Sequence, residues 1–184
     1  MNTPSNHVAR TCASLGRLGF HLASPDEIAR GRAAAARLVG ANIASVETLL
    51  RIQSRTACCA FVATDPEGRL IAAVSGLPLN HAALAPLESG RFDGVSPPQA
   101  LVARPQDMVA ALYLWGAAGL TWRGRTLALA ASVALQREVY PNLPCYARGA
   151  TNDGERALAQ RMGARPAAGG LVVAPPQIPR TEAA

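Results

Sequence analysis

Apolar and polar residues alternate along this chain in two rhythms, one helical and one extended. Ser24-Pro25-Asp26-Glu27 sets a hydroxyl at an N-cap, a proline at the first helical position and a glutamate three residues on. That is a capping-box start, and it predicts a helix through the alanine-rich segment to about Val39, with Gly40 as its stop. Val46, Leu49, Leu50 and Gln53 share one face of a second predicted helix, Ser45 to Arg55. Ala57–Thr64 and Arg69–Leu77 are short apolar runs joined by Asp65-Pro66-Glu67-Gly68, which predicts an antiparallel hairpin. Met108 to about Ala118 reads as a strand, although its alanines would also suit a helix. Arg125 to Tyr140 is apolar on most sides and predicts a buried helix ended by Pro141. Pro144–Gly149 reads as a strand. Asn152 and Glu155 are spaced as the capping box of a further helix that ends near Met162-Gly163, and Gly170–Ala174 as a last strand.

The flanks differ from this middle. Residues 1–17 are polar and small and read as a loose arm, 18–175 as a single domain whose first short strand is Leu18–Leu22, and 176–184 as a proline-rich, charged, disordered tail. Pro78 to Pro105 is proline-rich with little periodicity; it reads either as a substrate-side loop or as a packed insertion.

Composition narrows the chemistry. A length of 184 residues suits one domain with a real core. Hydrophobic content is 49%, yet no run is long and clean enough to span a bilayer and no secretory leader is evident, so the expectation is a soluble, cytoplasmic protein with no membrane partner. All 18 basic residues are arginine. Without lysine, a Walker-type phosphate loop and Schiff-base catalysis are both excluded. The net charge of +6 calls for an anionic partner; the arginines are scattered and aromatics are only 4%, which argues against a nucleic-acid stacking platform. Cys12, Cys58, Cys59 and Cys145 show no metal-ligand spacing, so no metal is expected; Cys58-Cys59 and Cys145 read as buried, reduced and inert.

The most informative stretch is Trp122-Arg123-Gly124-Arg125-Thr126-Leu127-Ala128, between the apolar runs Met108–Leu120 and Leu127–Val139. As strand, tight turn and helix start, it forms a phosphate cradle. N–H groups at a fresh helix N-terminus lack intrahelical partners, the dipole there favours an anion, Gly124 allows close approach, and Arg123 and Arg125 add charge.

With the element order, this stretch gives the second half of the chain, about residues 57–175, a resemblance to the Gcn5-related N-acetyltransferase (GNAT) superfamily. Its pyrophosphate loop has the pattern [QR]-x-x-G-x-[GA], which Arg123 to Ala128 fits except that Thr126 replaces a glycine. A second signature places Asn152, Leu158, Met162 and Gly163 as the family has them, while Ala159 stands where Tyr is frequent and Ala164 where Phe is. The resemblance implies an α/β (α+β) fold: a mixed, mostly antiparallel sheet flanked by helices, with splayed central strands. It implies acetyl-CoA or another acyl-CoA as cofactor and an amine-bearing acceptor. Backbone groups of Gly116, Ala117, Ala118 and Leu120 would pair with the pantetheine. The N–H groups of Arg123, Gly124, Arg125, Thr126, Leu127 and Ala128 would hold the pyrophosphate. Asn152 would touch the thiol end, or serve only as a helix cap. In that chemistry Ala118 N–H would stabilise the oxyanion, Tyr146 would replace the absent Tyr as acid, and Asp93 or His81 would be the base. Two rivals stay open, an acyl-CoA-binding domain with little turnover and a basic interaction module; a homodimer is compatible with either.

Overall fold

The computed structural model describes residues 7–177. Seven strands form one sheet in the order β1-β2-β3-β4-β5-β7-β6. They are β1 (His21–Leu22), β2 (Ala60–Thr64), β3 (Leu70–Leu79), β4 (Ala111–Gly119), β5 (Cys145–Ala147), β6 (Arg165–Pro166) and β7 (Val172–Ala174). Every pairing is antiparallel except β4 with β5. A mixed, mostly antiparallel sheet with one parallel pair at its centre is the sheet that the resemblance implied.

Six helices flank the sheet: α1 (His7–Arg17), α2 (Pro25–Val39), α3 (Val46–Thr56), α4 (Leu84–Glu88), α5 (Trp122–Ala134) and α6 (Asn152–Met162). α5 runs on as a π-helical turn, Leu135–Val139. The start of α2 forms as its residues dictate. The Ser24 hydroxyl accepts from Glu27 N–H, and Ser24 N–H donates to the Glu27 carboxylate at 2.9 Å. The Asp65–Gly68 turn closes the β2–β3 hairpin through Gly68 N–H to Asp65 O at 2.9 Å.

Side chains sort onto two faces by strand alternation. Leu112, Leu114, Cys145 and Ala147 point to the face covered by Leu15 of α1, Ala128 and Ala131 of α5, and Met162 of α6. Tyr113, Tyr146, Leu77 and Leu79 point to the other, against Ile52 of α3, Leu87 of α4, Phe92 and Val102.

Two readings are corrected and one left open is resolved. Residues 7–17 are no loose arm: they form α1, whose Leu15 is fully buried in the main core, while residues 1–6 lie outside the described residues. Polarity misled there because the buried face of α1 is itself mostly polar: His7, Thr11 and Ser14 are buried beside Leu15. Within the tail, only residues 176 and 177 are described. The first strand is two residues long rather than five; Leu18 N–H and Phe20 N–H both bond back to Leu15 O, finishing α1. Segment 78–105 is the packed insertion of the two readings: Ala83, Leu87, Phe92 and Val102 are buried under the second face.

Candidate functional site

The centre of the sheet holds a gap. β3 pairs with β4 from Leu79↔Ala111 to Ala72↔Gly119. β5 pairs with β4 over Leu112↔Cys145, Tyr113↔Tyr146 and Leu114↔Ala147 and then stops. The parting coincides with a bulge. Gly76 lies opposite Leu114 and Ser75 opposite Gly116, so Trp115 is the extra residue on β4. A bulge sharpens strand twist and ends pairing, which turns the far half of β4 away from β5. Gly116 and Ala117 are exposed, Ala118 and Gly119 half-buried.

Pairing geometry tells which backbone groups of β4 face that gap. Leu120 N–H donates to Ile71 O at 2.9 Å. In an antiparallel ladder the orientation alternates by residue. Gly116 and Ala118 therefore turn toward β3 with Leu120, and Ala117 and Gly119 present their N–H and C=O groups to the gap. This corrects the expectation for Ala118: its N–H turns toward Ala73, and the N–H that faces the gap is that of Ala117. Gly116 and Leu120 likewise use their backbone groups within the sheet.

The helix after β4 starts earlier than its hydrophobic pattern suggests. Thr121 is the N-cap: its hydroxyl accepts from Gly124 N–H at 2.9 Å and its carbonyl from Arg125 N–H at 2.9 Å. Trp122 to Ala128 are thus the first two turns of α5 rather than a loop. The cradle shrinks accordingly. The N–H of Gly124 is spent on the cap, and those of Arg125, Thr126, Leu127 and Ala128 lie inside the helical ladder. Ala128 is also buried in the core. Trp122 and Arg123 remain as the helix-start donors. Gly124 does not serve ligand approach either. A Cβ there would lie 1.9 Å from Ile71 O, and one on Gly119 would lie 2.1 Å from Arg125 N. The two glycines let α5 rest directly on β3 and β4. The sequence signal for this cap was present, since threonine is among the preferred N-cap residues.

Charge at this helix start is inverted. α2 opens on Asp26 and Glu27, α3 on Glu47 and α6 on Asp153 and Glu155, as the macrodipole favours. α5 has no acid in its first turn and carries Arg123 and Arg125, both exposed, whose side chains make no hydrogen bond or ion pair among the described residues. Two cations on the positive end of a dipole cost stability unless an anion joins them. Trp122 beside them is 78% exposed, and Leu120 40%. α6 begins at the matching end of β5, so two helix N-termini flank the gap at the carboxyl ends of the parallel pair, where open sheets take their ligands. Asn152 sits exposed as the first residue of α6; the cap is Thr151, whose hydroxyl accepts from Gly154 N–H at 3.1 Å.

The remaining candidates lie at different distances from this gap. Tyr146 is buried on β5, one residue before the strands part, next to Tyr113. Burial raises its phenol, and the charge of Glu88 adds to that, so the group stays protonated at neutral pH. Tyr113 is likewise raised by burial, against the pull of the Arg148 guanidinium. Neither Tyr113 nor Arg148 was singled out from the sequence; a tyrosine in a buried strand gives no signal of what its hydroxyl meets. Asp93 comes close through its neighbours, because Trp115 donates from its indole to Gly94 O. The Asp93 carboxylate itself accepts from Val95 and Ser96 N–H at 2.8 and 3.1 Å. His81 follows the far end of β3 and is exposed. It lies about 20 Å along the strand from Ser75, at roughly 3.3 Å per residue, so it is not brought to the gap. Burial pushes the thiols of Cys58 and Cys145 up to about 12 and that of Cys59 well above its usual value. No helix among the described residues is long and apolar enough to cross a membrane.

No protein-family model matches the chain, and no curated protein matches it. Among solved structures, one described as the GphF GNAT-like decarboxylase in complex with isobutyryl-CoA matches over 75% of this chain and 70% of its own, at 23% identity and a TM-score of 0.44.

Proposed function

We propose that this protein binds an acyl-CoA in the gap between β4 and β5 and transfers the acyl group to an amine. The observation that carries the reading is the unpaired outer edge of β4, with Ala117 and Gly119 facing outward, running into the arginine-bearing start of α5. An extended pantetheine offers amides that suit a strand edge. A pyrophosphate suits the Trp122 and Arg123 N–H groups with the Arg123 and Arg125 side chains. The exposed Trp122 ring gives an adenine a surface to stack on. The thioester carbonyl then meets the Ala117 N–H, which stabilises the charge that develops as an amine attacks. Tyr146 returns a proton to the departing thiolate, and a water ordered by Asp93 takes the amine's proton.

One observation favours a second reading, an acyl-CoA-binding domain with little turnover. Neither β4 nor β5 carries a carboxylate, and Asp93 is already committed to its turn.

Calorimetry with acetyl-CoA tests the shared premise, and thiol release with a panel of amines separates the two readings. The sharpest variant is Ala117→Pro. It deletes an N–H that faces the gap and leaves every β3–β4 bond in place, so the variant folds and loses acetyl-CoA binding. Ala118→Pro removes a ladder bond instead and lowers stability. Equal acetyl-CoA affinity in Ala117→Pro and the parent, or no binding by the parent at millimolar concentration, would defeat the proposal.

A further inference from the structure

At the opposite end of β3 and β4 a cavity of about 430 Å³ opens between the C-terminal half of α3 and segment 99–106. Its polar lining comprises Arg51, Ser54, Arg55, Gln99, Arg104 and Gln106. Arg51 and Arg55 are four residues apart, hence on one face of α3, where like charges repel. Arg55 spends its Nε on Val102 O at 2.9 Å, which fixes the side chain and leaves its terminal nitrogens without a partner among the described residues. Arg51 makes no hydrogen bond or ion pair among those residues. Asp107 is the one acid they share: it accepts from Arg104 N–H at 2.9 Å and from its guanidinium at 3.2 and 3.3 Å, and the charge of Arg55 acts on its carboxyl as well. Three guanidiniums therefore share one carboxylate, which leaves an excess of positive charge at the cavity, with three neutral hydrogen-bonding side chains around it.

We infer that this cavity is a binding site for a phosphate-bearing small molecule. Arg51 and Arg55 meet the phosphate dianion, while Ser54, Gln99 and Gln106 meet polar groups beside it. Guanidinium forks match carboxylates and phosphates alike, so the preference for a phosphate rests on charge: several cations around one carboxylate attract a dianion more strongly than a monoanion. The site is separate from the proposed thioester gap. Val102 bridges to Leu79 opposite Ala111, whereas α5 follows Gly119, about 26 Å away along β4 at roughly 3.3 Å per residue. The inference stands whether or not the gap takes an acyl-CoA.

Titration calorimetry on the full chain tests it, with inorganic phosphate, glycerol phosphate and acetate at constant ionic strength. Saturable phosphate binding is expected, with acetate much weaker. Glycerol phosphate binding more tightly than inorganic phosphate identifies an ester as the ligand, and the reverse order identifies free phosphate. Arg51→Gln should weaken binding at least about tenfold, the worth of one charge-assisted bond, without lowering the unfolding midpoint. Arg55→Gln should weaken binding too and also lower the midpoint, because it drops the bond to the buried Val102 O; Arg123→Gln should keep the saturable phosphate binding that Arg51→Gln weakens. The inference is overturned by the absence of saturable phosphate binding, by acetate binding as tightly, by unchanged affinity in Arg51→Gln, or by loss of phosphate binding in Arg123→Gln. That last result would place the anion at α5, and so bear on the gap rather than on this cavity.

Discussion

Replacing Gly124 with alanine tests how α5 is seated. In the middle of an exposed helix this change gains about 1 kcal/mol, because glycine is the poorer helix former. Here the added Cβ would lie 1.9 Å from Ile71 O and 2.8 Å from the Ile71 carbonyl carbon. The obstacle is backbone, and the same carbonyl already holds Leu120 N–H at 2.9 Å, so it cannot swing aside without breaking the end of the β3–β4 ladder. α5 must lift instead, loosening Ala128 and Ala131 from the core. Overpacking of this kind costs up to about 3 kcal/mol. Subtracting the propensity gain leaves a net loss of about 2 kcal/mol, which lowers Tm by about 4–8 °C in a chain of this size. Thermal and urea unfolding followed by far-ultraviolet circular dichroism read it directly. Gly16→Ala in α1 is the control: nothing lies within 4 Å of its Cβ, so it should gain up to about 1 kcal/mol. A Gly124→Ala protein as stable as the parent, or more so, would refute the close seating of helix on strand.

Other outcomes follow from the same physics. Ser24→Ala should cost about 1 kcal/mol by removing the cap of α2, measured by urea unfolding. The Glu27 carboxyl is held down at about 2 from 4.5, first by the Ser24 N–H, so its stabilisation is present above pH 4.5 and disappears as pH falls toward 2; in acid titrations the gap between parent and Glu27→Gln should close over that window. Cys12 is exposed while the other three cysteines are buried, so a chromogenic disulfide should titrate one thiol in the native chain and four after unfolding. Cys58 and Cys145 rise from 9.0 to about 12 on folding, so the native state holds more protons than the unfolded chain between those values, and stability should fall as pH climbs through that range.

Much of the fold was legible in residue order. The Ser24–Glu27 box placed α2, the Asp65–Gly68 turn placed the hairpin, and Met162-Gly163 placed the end of α6, where Gly163 adopts φ 68°. Each is a local signal with a local cause. The site was legible only in outline. Strand, arginines and helix start follow one another as read, but the position of the helix start turns on the Thr121 hydroxyl, and the choice of Ala117 over Ala118 turns on the bulge at Trp115. A bulge arises from the fit of two strands distant in sequence, and a run such as Gly-Ala-Ala-Gly carries no mark of it. Distance likewise separates His81 from Asp93: both lie in one proline-rich segment, yet that segment runs from one end of β4 toward the other.

The Gly119–Gly124 contact also says where the cleft can breathe. Strand and helix are cogged together there, backbone against backbone, so the wall formed by β4 and α5 moves as one rigid jaw. The opposite wall hangs on a three-residue ladder and carries α6 behind it. Any widening of the gap falls to that lighter jaw, because β4 is tied to β3 along its whole length.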